Sequence, residues 1–167
     1  MSAIEPTRGV AVVMQPDQGQ SYWQPVPANG HADPKLVPGD TGYRGASLGF
    51  QTVAPHSRVR EHSHGEQIEM VVCFRGRGYA SVDGVRHELM PGTACFMGAD
   101  VKHEFINESD EELVILWVIS PAGLEDFFRT IGRPRHADEA APAPFPRPTD
   151  VVALERSMGM DNTVAAG

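Results

Sequence analysis

The chain has 167 residues, 41% of them hydrophobic, which suits one domain with a real core and excludes wholesale disorder. Its net charge is −8, from 14 basic against 22 acidic residues, and no basic block occurs anywhere. Nucleic acid and an anionic membrane are therefore not expected as main partners.

Residues 1–45 read as an N-terminal arm rich in Pro, Gly and Gln, with one apolar run at Val10–Met14 and an aromatic pair, Tyr22-Trp23. One or two strands are expected there, laid over the body or over a partner subunit. Met1–Pro6 has no charged stretch followed by an apolar one, so no secretory leader is read. No apolar run approaches the roughly 20 residues that span a bilayer.

Residues 46–121 form the body, where short apolar or alternating runs are broken by turn signals, the pattern of an antiparallel β-sandwich or barrel. Strands are expected at Phe50–Val53, Ile68–Phe74, Tyr79–Val82, Ala94–Met97 and Leu113–Ile119, with Asp83-Gly84 as a two-residue hairpin turn. Cys73 and Cys95, the two cysteines, fall in these runs and read as reduced thiols of a cytoplasmic protein.

Residues 122–167 change period. Leu124, Phe127, Phe128 and Ile131 mark one face of a helix that Gly132 and Pro134 end. A Pro/Ala linker, Ala140–Pro148, leads to a last short helix from a Thr149 N-cap through Val151, Leu154 and Met158. No internal repeat occurs, so one barrel is expected.

The chemistry concentrates in His62-Ser63-His64-Gly65-Glu66-Gln67-Ile68-Glu69. Alternation on a strand points His62 and His64 the same way, so both imidazoles can converge on one metal ion. On the next strand Glu69 lies opposite a face of Ile68, Met70, Val72 and Phe74, and a carboxylate turned inward must be paired or coordinated. His103 supplies a fourth ligand. Such a set suits Fe, Mn, Ni, Zn or Cu, with no choice among them from ligand type alone.

These residues resemble the cupin signature. His62, His64, Glu69 and Gly76 match its first motif; Gly84, Pro91-Gly92, His103 and Asn107 match its second more loosely. His56 stands where the first motif has glycine, and Gly98 where a proline usually precedes the second-motif histidine. The resemblance covers residues 46 to 120, and Gly123–Phe128 is similar to the tail of small quercetin-dioxygenase-like cupins. It implies an all-β antiparallel jelly-roll barrel with one or two short C-terminal helices. One divalent ion, iron first, would sit inside on three His and one Glu, in a homodimer.

The leading functional expectation is a metal-dependent dioxygenase acting on an anionic or chelating small molecule, an enol, phenol, diketone or carboxylate, with O2 as co-substrate. Glu69 is read as a ligand or as a general base. Two rivals stand beside this: a non-oxidative isomerase, decarboxylase or lyase, and a binding module without catalysis. Arg58 and Arg60 share the parity of His62 and would face the interior if no bulge intervenes; the alternative is a surface salt bridge. Phe105 and Trp117 are pocket walls or core packing, and Cys73 lines the cavity or fills the core.

Overall fold

The computed structural model of the chain describes residues 9–161, so Met1–Pro6 and the end of the expected C-terminal region lie outside the described residues. In chain order the elements are β1 (Tyr22–Trp23), β2 (His31–Leu36), α1 (Pro38–Thr41), β3 (Ser47–Val53), β4 (Ser57–His64) and β5 (Ile68–Arg75). Then come β6 (Gly78–Val82), β7 (Val85–Leu89), β8 (Ala94–Met97), β9 (His103–Asn107) and β10 (Leu113–Ser120). The chain ends in α2 (Leu124–Ile131), β11 (Arg133–Pro134), α3 (Val151–Ser157) and β12 (Met160–Asp161).

The strands pair antiparallel into two sheets. One runs β11-β1-β2-β3-β10-β5-β8 and the other β12-β4-β9-β6-β7, which makes the jelly roll. The arm is not a detached wrapping: β2 pairs along β3 from His31↔Thr52 to Leu36↔Leu48, so it widens the larger sheet of its own chain. At the β6–β7 hairpin Asp83 and Gly84 both have positive φ, 46° and 78°, the backbone a two-residue turn of matching twist requires.

Alternation on β5 sorts its side chains. Glu69, Val71 and Cys73 are buried, while Met70 and Phe74 face out. Trp117 and Ile119 of β10, Phe105 of β9 and Leu89 of β7 join them in one core between the sheets. Leu124, Phe127, Phe128 and Ile131 of α2 are all buried, as their spacing requires, and close one end of the barrel. The last helix begins one residue later than expected: its N-cap is Asp150, not Thr149, and no side chain caps it. Among the described residues no helix is long and apolar enough to cross a membrane.

Candidate metal centre

Three strands from both sheets build the site. His62 and His64 come from β4, His103 from β9, and Glu69 from β5 on the opposite sheet. His62 lies in register with His103. One potential ligand atom from each of the four lies within 4.8 Å of the others. His103 is wholly buried and Glu69 is 4% exposed, so these polar groups sit in the core and must satisfy one another.

The hydrogen bonds fix what the cluster offers. His103 Nδ1 donates to the Val101 carbonyl at 2.9 Å and His62 Nδ1 to that of Arg60 at 2.8 Å, since a carbonyl only accepts. In the neutral ring Nε2 then carries a lone pair. His103 Nε2 faces Glu69 Oε2 at 2.9 Å, and His64 Nε2 faces the same oxygen at 3.3 Å. Lone pairs aimed at one another in a buried space need a cation between them, either a proton or a metal ion. The donor set therefore fits a divalent ion, with backbone carbonyls orienting two of the rings as metal-binding imidazoles require.

The titration tendencies agree. Burial, then the charges of His103 and His64, push His62 down to about 3, so it is a neutral donor. Burial raises Glu69, but hydrogen bonds from His103 and His64 outweigh it and hold the carboxyl well below the usual range. Burial lowers His103, yet the hydrogen bond and charge of Glu69 win and raise it above its ordinary value. Without a metal ion the pair therefore holds a shared proton more readily than a free imidazole does.

His62 and Glu69 also line a cavity with an open mouth. Phe105, Leu124, Phe127, Phe128 and Ile131 supply apolar walls, and Gln24, Gln51, Arg58 and Arg60 supply polar ones. A bulge does intervene on β4, between Val59 and His62, so the simple parity for the two arginines fails. Arg58 is exposed at the rim, whereas Arg60 reaches Glu155 Oε1 at 2.8 Å.

Trp117 and Cys73, though buried, are not on the cavity wall. The Trp117 ring packs 5.7 Å from Phe128 and over Gly49, and the Cys73 thiol points toward the Gly76 carbonyl. Both cysteines are unpaired thiols. His56 has φ 52°, in the left-handed region that favours glycine, with its ring on exposed Asp110.

Sequence reasoning missed Arg147 and Glu155, which line the cavity from the C-terminal segment. The available signal was a carboxylate spaced four and three residues from Val151 and Met158, on the apolar face of α3.

Residues 49–119 match the family model described as the cupin domain. Over 108 residues the chain is 29% identical to Protein SchB of Streptomyces halstedii, covering 65% of this chain and 78% of that one. It is equally identical, over the same length, to Polyketide synthase CurC of Streptomyces cyaneus, covering 65% of this chain and 66% of the other. Among solved structures, the polyketide cyclase RemF from Streptomyces resistomycificus superposes with a TM-score of 0.60 at 17% identity, covering 68% of this chain and 81% of that one. Residues 49–119 hold the body of the jelly roll and the whole buried ligand set, and that stretch of the chain is a cupin domain.

Proposed function

We propose that the protein is a metal-dependent enzyme that enolises and rearranges a carbonyl compound with a largely apolar, aromatic body, without net oxidation. The observation that carries this reading is the buried three-histidine, one-carboxylate cluster opening onto an apolar cavity. A divalent ion held by His62, His64, Glu69 and His103 would act there as Lewis acid toward a carbonyl or enolate oxygen.

The chain's own groups do the rest. Phe105, Phe127 and Phe128 line the cavity and would hold a planar body while excluding water. Glu69 Oε2 is engaged by two imidazoles, whereas Oε1 has no hydrogen-bond partner among the described residues, which leaves it to take a substrate proton. The dioxygenase expectation shares this donor set. The non-oxidative reading is preferred because two of the similar proteins carry the names polyketide synthase and polyketide cyclase.

The test incubates metal-reconstituted protein with 2′-hydroxyacetophenone in D2O under argon and follows the methyl protons by NMR. Accelerated exchange with no oxygen present is expected. Turnover that requires O2 in stoichiometric amount contradicts the reading and restores the dioxygenase.

We also propose a homodimer as the working form, seated on the outer face of the larger sheet. Met70 pairs in register with Phe96, Phe74 stacks edge-on to Phe50, and Phe74 and Phe96 are 60% and 65% exposed. Val13 of the arm is 79% exposed, a second apolar element left uncovered among the described residues.

A further inference from the structure

The cavity has a second polar centre that the metal reading does not use. Glu155, on α3, is 1% exposed, and its Oε1 accepts from Arg60 at 2.8 Å and from Arg147 at 2.6 Å. All three residues line the cavity that holds His62 and Glu69. One carboxylate against two guanidiniums leaves a charge of +1 in a low-dielectric wall.

Donors are also left over. Each guanidinium has five N–H groups, and each gives one identified bond to Glu155 through Nη2. Among the described residues Arg60 Nε is buried with no partner, a donor that an anion would satisfy, whereas Glu155 Oε2, also unpartnered, calls for a donor such as a substrate hydroxyl. Leaving such groups unmatched is costly unless a ligand completes them. A staple that only fastened α3 would not need a second arginine, because Gly65 N already bonds to the Gly159 carbonyl and β12 pairs with β4.

We propose that Arg60 and Arg147, bridged by Glu155, form an anion subsite that binds a carboxylate of the substrate while its carbonyl end faces the metal centre. This names the substrate class of the proposed function, an enolisable aromatic carbonyl acid, and rests on that reading. Glu155 holds the two guanidiniums side by side as a positioning residue, and its own charge limits how tightly the anion is held. Arg147 and Glu155 lie beyond the matched cupin domain, so selectivity would come from the C-terminal segment and the chemistry from the barrel.

The test measures binding of 2-naphthoate and of neutral 2-naphthamide to chelator-stripped full-length protein, by titration calorimetry. Without metal, a preference for the acid reports the arginines alone. Wild type is expected to bind naphthoate about tenfold or more tightly than the amide, as charge-assisted hydrogen bonds allow. Arg147→Gln should bring the two affinities together.

Glu155→Gln keeps an oxygen for both guanidiniums but removes the opposing charge, so naphthoate should bind about tenfold more tightly still. A merely structural staple predicts the reverse, weaker binding of both probes as α3 loosens. Equal affinities in wild type, an unchanged preference in folded Arg147→Gln, or weakened naphthoate binding in Glu155→Gln each overturn the proposal. If Arg147→Gln does not fold, Glu155→Gln decides alone. Metal loading and proton exchange are read separately, so the enolisation reading and the subsite fail independently.

Discussion

Replacing Glu69 by glutamine removes one charge from the centre while keeping its shape. The four ligand atoms lie within 4.8 Å of one another, so an ion among them sits within about 4 Å of the carboxylate. At an effective dielectric of about 20, each unit of ion charge at that distance is worth about 4 kcal/mol, so a divalent ion should lose at least about a thousandfold in affinity. The metal-free fold should respond very differently. The new amide can turn its N–H toward His103 Nε2, which lies 2.9 Å from Glu69 Oε2, and so satisfy the lone pair that the carboxylate opposes in the neutral ring. At pH 8 the metal-free variant is expected to melt within about 4 °C of wild type, equivalent to about 1–2 kcal/mol. Competition against a chromophoric chelator with Zn or Mn gives the affinity, and calorimetry the melting point. A Glu69→Gln protein that binds metal within tenfold of wild type would refute the assignment of Glu69 as a ligand.

Three further outcomes follow from the same geometry. His62 is pushed from 6.5 to about 3 on folding, so the unfolded chain binds more protons there and stability falls as pH drops through that window. His103 is raised above 6.5, so its contribution is fully present below that value and is lost as pH rises. Melting of metal-free protein should therefore peak near pH 6.5, and metal should abolish the decline on the alkaline side; a monotonic profile contradicts this. Gly76 has φ 82°, and a Cβ there would lie 2.2 Å from the Glu112 carbonyl oxygen. Gly76→Ala should cost about 3 kcal/mol from left-handed strain and the clash, lowering the melting point by about 5–10 °C, as calorimetry would show. Phe74→Lys combined with Phe96→Glu, both on the outer sheet face, should convert a dimer to a monomer in sedimentation; an unchanged mass disproves that interface.

Much of this was legible because local rules and tertiary context agree. The α2 stripe, the Asp83-Gly84 turn and the β5 alternation each depend on a period or a backbone angle that a few neighbouring residues dictate. His62, His64 and Glu69 could be placed together because two short strands and one turn connect them. The orientation of Arg60 could not be read, since a single extra residue in β4 shifts the parity of everything before it. Glu155 and Arg147 lie more than 80 residues from His62 and His64, and no local pattern says that α3 docks on the cavity. Trp117, which position alone leaves as pocket wall or core packing, packs in the core, where Gly49 opposite it leaves room for the indole. The homodimer expectation has physical content only through the apolar outer face, which sequence alternation hints at but cannot distinguish from a covered one.

The most direct measurement is metal stoichiometry on tag-free, chelator-stripped protein titrated in turn with Fe, Mn, Ni, Zn and Cu salts, beside His62→Ala and His103→Ala. One ion per chain in wild type, with affinity lost in both variants while they remain folded, is the predicted result. No binding by wild type, or binding that survives both substitutions, would contradict a mononuclear centre built on these strands.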